Sequence, residues 1–175
     1  MMHLDQLGAG LGLCGIVAAR LGASRVILTD GDSDTLTRMR TNVAASARPL
    51  LPECRQLIWQ PRPNNTKNKT SRNEYLHRFL AQSNISNGVP LILGADICYM
   101  EESLEPLWNT MDHLLSKEAG GQVWLAYTFR NVAMDSIVEQ AQEYGFVCQQ
   151  TPSGGTTEGV YVFVRRQRLT MAATK

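Results

Sequence analysis

The run Leu7-Gly8-Ala9-Gly10-Leu11-Gly12-Leu13-Cys14-Gly15 follows a strand-like segment, His3 to Leu7, and leads into a helix-forming one. A strand that ends in glycines turns sharply into a helix, and a ligand can lie against main-chain N–H groups there without meeting a Cβ. Eighteen residues after Gly12 a carboxylate, Asp30, closes the apolar run Val26-Ile27-Leu28. An acid at the tip of a second strand can face a ribose and accept both its hydroxyls. Glycine clusters also mark ordinary tight turns, but strand, helix, strand and terminal acid in this order point to a nucleotide-like cofactor.

The 175 residues, 43% of them hydrophobic, suit one domain with a sizeable core. That domain is expected over residues 1–168, with 169–175 a disordered tail. A net charge of +1 gives no bulk signal for nucleic acid or a membrane surface. The apolar stretches are too short to span a bilayer, and Met1-Met2-His3-Leu4-Asp5 lacks the regions of a signal peptide, so a cytoplasmic location is the default expectation. Cys14, Cys54, Cys98 and Cys148 are scattered, with no C-x-x-C pair and no histidine at zinc-ligand spacing, so reduced thiols and no metal site are expected. The N-x-Ser/Thr triplets at Asn64, Asn68 and Asn84 have no functional meaning without a secretory signal.

Helical and strand patterns then alternate with short breaks, the signature of a doubly wound α/β sheet. The first helix is expected from Gly12 to Leu21 and ends at Gly22; the second, capped by Asp32 or Ser33, carries Leu36, Met39 and Val43. The third strand is read at Gln56-Leu57-Ile58-Trp59. Residues 61–88 are polar, basic and proline-interrupted at first, which predicts a mobile insertion over about 61–72, followed by a helix from Glu74 to Gln82. Pro90 to Asp96 reads as a buried strand ending in a carboxylate. A helix capped by Ser103 follows, with Pro106 in its first turn. Gln122 to Tyr127 is the fifth strand, and Asn131 is placed as the cap of the next helix, which ends at Gly145.

The tail breaks the alternation. Phe146-Val147-Cys148-Gln149 and Val160 to Val164 flank the glycine-containing loop Ser153 to Thr157 with no helix between them, so the two strands must be antiparallel. An NAD-binding sheet of six parallel strands needs another crossover helix at that point. Five parallel strands closed by an antiparallel pair is instead the plan of the seven-strand S-adenosylmethionine (SAM) methyltransferases.

Gln6 to Gly12, Thr29-Asp30-Gly31-Asp32, Leu57-Ile58-Trp59, Gly94-Ala95-Asp96-Ile97-Cys98-Tyr99 and Thr128-Phe129-Arg130-Asn131 together resemble the family-16 protein lysine methyltransferases. The likeness covers nearly the whole chain except the insertion. Its nearest branch is that of the elongation factor 2 lysine methyltransferases, through Thr-x-Arg-Asn and Asp-x-x-Tyr; the calmodulin lysine methyltransferase shares the Thr-Asp-Gly stretch. The resemblance implies an α/β fold with a Rossmann-like sheet of order 3-2-1-4-5-7-6 in three αβα layers. It also implies SAM as cofactor and a protein substrate, a translation factor by the nearest branch. No nucleic acid or membrane partner is expected, and a monomer is the default.

By the same resemblance Gly8, Gly10 and Gly12 line the methionine half of SAM, Asp30 holds the ribose and Trp59 lies against the adenine. Ala95 and Asp96 sit near the reacting end, and Asp96 and Tyr99 are the candidates for aligning the acceptor amine. The family usually carries an acid where this chain has Gln6, which can accept a hydrogen bond but brings no charge. It also usually has a region before the first strand, so a missing lead segment, leaving that strand partly exposed, is expected. Two other readings stay open: a non-catalytic module of the same fold, and an NAD-binding oxidoreductase, because Gly10 to Gly15 matches G-x-G-x-x-G.

Overall fold

The computed structural model describes residues 2–46, 51–62, 69–118, 120–152 and 157–166. Half of the expected insertion, residues 63–68, and all of the expected tail lie outside them. Twelve elements follow in order: β1 His3–Leu7, α1 Leu13–Arg20, β2 Arg25–Asp30, α2 Ser33–Ser46, β3 Glu53–Gln56, α3 Lys69–Gln82, β4 Leu91–Ala95, α4 Glu101–Leu114, β5 Gln122–Tyr127, α5 Met134–Glu143, β6 Phe146–Gln150 and β7 Gly159–Arg165. The strands form one sheet of order β3-β2-β1-β4-β5-β7-β6, parallel except for the antiparallel β7 pairings to β5 and β6.

The sheet is covered on two sides. On one, Leu4, Val26, Leu28 and Leu91 pack under Ile16 and Ala19 of α1 and Leu36, Met39 and Val43 of α2. On the other, Ile27, Ile92 and Val123 pack under Leu76 and Phe79 of α3, Leu107 and Trp108 of α4 and Ile137 of α5. Strand β1 is buried from Leu4 to Leu7, which corrects the expectation that it is partly exposed: α1, β2 and β4 enclose it. Exposure on that side falls instead on β5 and β7, where Trp124 is 43% and Val160 45% accessible. No helix among the described residues is long and apolar enough to cross a membrane.

Several boundaries differ from the sequence reading. Strand β3 ends at Gln56, where the third strand was expected to begin. Helix α3 begins five residues early, at Lys69. Helix α4 begins at Glu101, so Ser103 lies inside it and donates from Oγ to the Met100 carbonyl at 2.7 Å. Pro106 is therefore past the first turn and removes the intrahelical bond to the Glu102 carbonyl. Asn131 does not cap α5, whose cap residue is the extended Ala133. At α2 the expectation holds, since Asp32 Oδ2 accepts from the Thr35 N–H at 2.7 Å.

One core position opposes folding. Asp5 is fully buried in β1, its neighbours in register are Ile27 and Ile92, and neither carboxylate oxygen has a hydrogen-bond partner. Burial raises its pKa well above the usual 3.8. The folded state thus binds a proton that the unfolded chain releases, and stability falls as pH rises from the unfolded pKa through the folded one. Asp5→Val should therefore stabilise the protein by about 1–3 kcal/mol at pH 8. Urea unfolding should show that gain shrinking toward pH 4; a loss of stability at pH 8 would contradict it.

Candidate active site

Three left-handed glycines turn the chain out of β1: Gly8 and Gly10 at φ 55° and Gly12 at φ 86°. A Cβ on Gly8 would lie 2.8 Å from Ile97 Cγ2 and 3.3 Å from Trp59 Cζ2, whereas one on Gly10 would meet nothing within 4 Å. Gly8 therefore permits close packing beside Trp59, and Gly10 borders open space. The loop is tied to β2: the Ala9 N–H donates to the Thr29 carbonyl at 2.8 Å and the Gly10 N–H to Asp30 Oδ2 at 3.0 Å. Gly12 N–H in turn donates to the Ala9 carbonyl at 2.8 Å. These are donors that a pyrophosphate at a helix N-terminus would need, so the loop is a poor match to dinucleotide binding.

Gln6 is 3% exposed, and its Oε1 accepts from the Gly15 N–H at 2.8 Å. It fixes the start of α1 from beneath the loop. A Cβ on Gly15 would fall 2.0 Å from Leu28 Cδ2, so the helix can approach β2 this closely only with glycine there.

Asp30, at the carboxyl end of β2, also accepts the Asp32 N–H on Oδ1 at 3.1 Å. Each oxygen keeps a lone pair for a further donor. Trp59 lies three residues beyond β3, and its position depends on how the following chain is fastened to the helices. Ile58 N–H donates to Tyr75 Oη at 3.1 Å and Gln60 N–H to Thr110 Oγ1 at 2.9 Å. Asn109 Nδ2 reaches the Gln60 carbonyl at 2.6 Å, and Arg62 N–H donates to Glu105 Oε1 at 2.7 Å. Sequence reading missed these supports. Their one signal was a pair of polar residues, Asn109 and Thr110, amid the apolar residues of α4.

After β4 the chain enters a left-handed residue that is not glycine, Asp96 at φ 55°, whose N–H donates to the Ala126 carbonyl at 3.0 Å. Its carboxylate takes a two-pronged contact from Arg130, 2.7 Å from Nη2 and 3.2 Å from Nε, which holds its pKa below the usual range. Cys98, two residues further on, is buried and its thiol pKa is thereby pushed up to about 12, so it stays protonated. Tyr99 stands 45% exposed at the rim.

These segments enclose a cleft of about 450 Å³ lined by Gly8, Asp30, Gly31, Asp32, Leu57, Ile58, Trp59, Asp96, Ile97, Tyr99, Ser103 and Pro106. That volume is within the range of small-molecule sites, about 300–1,000 Å³. Gly8, Asp30, Trp59, Asp96 and Tyr99 are thus brought together; Gln6, Gly10, Gly12 and Ala95 do not line the cleft, although Gly10 is bonded to Asp30 and Gln6 to Gly15. A larger cleft, about 570 Å³, opens at the amino ends of β4 and β5 among His77, Asp112, His113, Lys117 and Glu118. Ligands of open α/β sheets bind at the carboxyl ends, at the switch in strand order, here between β1 and β4. The smaller cleft is at that switch. An aromatic face, a carboxylate with free lone pairs and a glycine bordering open space match an adenine, a ribose and a chain lying on the loop, so the residues present fit a SAM-like nucleoside. No group of histidine, cysteine or carboxylate side chains among the described residues is suited to a metal ion.

Comparison with known proteins agrees. The chain is 38% identical over 111 residues to the protein N-lysine methyltransferase METTL21A of Danio rerio, covering 63% of this chain and 43% of that protein. It is 33% identical over 144 residues to the protein-lysine methyltransferase METTL21E of Mus musculus, covering 81% and 51%. It thus spans about half the length of these relatives. Among solved structures, a TehB-like SAM-dependent methyltransferase from Corynebacterium glutamicum superposes with a TM-score of 0.66 at 15% identity over 94% of this chain and 80% of its own, a likeness of fold. Residues 2–144 match the profile of the lysine methyltransferase family, and the chain belongs to that family.

Proposed function

We propose that this chain is the catalytic domain of a SAM-dependent protein lysine methyltransferase. The observation that carries the reading is the convergence of Gly8, Asp30, Trp59 and Asp96 on one cleft at the carboxyl ends of four strands. Trp59 stacks on the adenine, Asp30 accepts the ribose hydroxyls and the loop from Gly8 to Gly12 supports the methionine part, with Gln6 holding the loop to α1. When bound, SAM supplies a methyl group already activated on a sulfonium, so the protein needs little acid–base machinery. Its task is to present a neutral amine in line, and positioning supplies much of the acceleration. Asp96 aligns the amine N–H bonds and Tyr99 forms the rim through which the side chain enters. The acceptor is a lysine of a protein, a translation factor by the branch that Thr128 to Asn131 suggests, and the enzyme acts as a cytoplasmic monomer.

A non-catalytic module is the competing reading. It is favoured by Gln6, which brings no charge to the site and is turned toward Gly15. Transfer from isotope-labelled SAM into cytosolic proteins, followed by acid hydrolysis, separates the two. Label is expected in N-methyl-lysine. Asp96→Ala should slow transfer about 100-fold through lost alignment while S-adenosylhomocysteine affinity stays within about threefold. Label in another residue type, or none from a folded sample, would overturn the proposal.

A further inference from the structure

Asp96 and Arg130 lie in the segments that follow neighbouring strands, β4 and β5, and meet through both carboxylate oxygens. Their side chains are 48% and 55% exposed. An ion pair that open to water adds little to stability, so folding alone gives a weak reason for it. The chain nevertheless takes up a left-handed conformation at Asp96, where a side chain is strained, and pins it through the Ala126 carbonyl. Asp96 lines the cleft. Arg130 approaches it from the β5 side, where Glu158 contributes a further negative charge.

We infer that Arg130 is a positioning residue for the methyl acceptor: by holding both oxygens of Asp96 it keeps this wall of the cleft close to neutral and favours an uncharged amine over an ammonium at the reacting point. The inference rests on the SAM reading above. In that reaction the amine lone pair forms the N–C bond and the donor's C–S bond breaks with its electrons kept by sulfur. The surplus proton on the methylated nitrogen leaves to solvent. A bare carboxylate at this point would stabilise the ammonium, which has no lone pair to attack with. A carboxylate already paired with Arg130 still accepts a hydrogen bond from the amine but supplies less of that stabilisation.

Two ligands test this without turnover. S-adenosylhomocysteine is neutral at the reacting position and sinefungin carries an ammonium there; their other groups are the same, so the ratio of their affinities reports the charge felt at that point. Calorimetry on the Arg130→Gln chain should show sinefungin gaining about tenfold over S-adenosylhomocysteine relative to the wild type. S-adenosylhomocysteine itself should change by less than about twofold. Adding Asp96→Asn should cancel the gain, and Arg130→Lys should move the ratio by less than about threefold. An unmoved ratio in Arg130→Gln, or a larger shift with lysine than with glutamine, overturns this inference while leaving the cofactor reading intact. A folded wild-type chain that binds neither ligand overturns both.

Discussion

Asp30→Ala is expected to weaken S-adenosylhomocysteine binding by about 100-fold. Two hydroxyls on one carboxylate make two charge-assisted hydrogen bonds, each worth about 1.5–3 kcal/mol, and their loss alone accounts for a change of that size. The same carboxylate holds the Gly10 N–H at 3.0 Å and the Asp32 N–H at 3.1 Å, so alanine also frees the glycine loop. Asp30→Asn retains one carbonyl oxygen and should lose only about tenfold. Both variants should stay folded, because the side chain is only half-buried and the loop keeps its Ala9–Thr29 and Gly12–Ala9 bonds. Calorimetric titration with a thermal melt as control decides it. An affinity within threefold of wild type in a folded Asp30→Ala sample would remove Asp30 from the ribose.

The second large effect is on the fold. Trp108 is fully buried in α4, with ring centroids 5.2 Å from Phe146 of β6 and 5.0 Å from Phe163 of β7. It joins the antiparallel end of the sheet to the helical layer above it. Trp108→Ala should destabilise the protein by about 3–5 kcal/mol, from lost apolar burial and an unfilled cavity. That is a large share of the roughly 5–15 kcal/mol by which domains are stable. Trp108→Phe should cost much less, about 1–2 kcal/mol, because the indole Nε1 has no hydrogen-bond partner and its removal relieves a buried polar group. Equal losses in the two variants, measured by urea unfolding, would show that the indole packing is not what holds these layers together.

The parts of this architecture that were legible in the sequence are those set by apolar periodicity and glycine punctuation. The bounds of β1 and β5 match the reading, and the antiparallel end of the sheet follows from two strands with no helix between them. What was not legible depends on backbone pairing or on partners far apart in the chain. The expected third strand followed the apolar residues Leu57 to Trp59, but β3 is an edge strand of half-exposed residues whose place is set by its register, Ile27 to Glu53 through Asp30 to Gln56. Trp59 still reaches the cleft because hydrogen bonds from α3 and α4 hold the chain beyond the strand. Asn131 looked like a cap by residue type alone, yet the turn after β5 runs on to Ala133 before helical bonding begins. Asp96 was legible as a carboxylate at a strand end. Its pairing with Arg130, 34 residues away, was not, because only the adjacency of β4 and β5 brings the two segments together.

The most direct test of the account is a calorimetric titration of the folded chain with S-adenosylhomocysteine, with NADH run in parallel. S-adenosylhomocysteine is expected to bind saturably at one site per chain, with no heat from NADH beyond dilution. Binding of NADH without S-adenosylhomocysteine, or of neither by a chain with a cooperative melt, would contradict it.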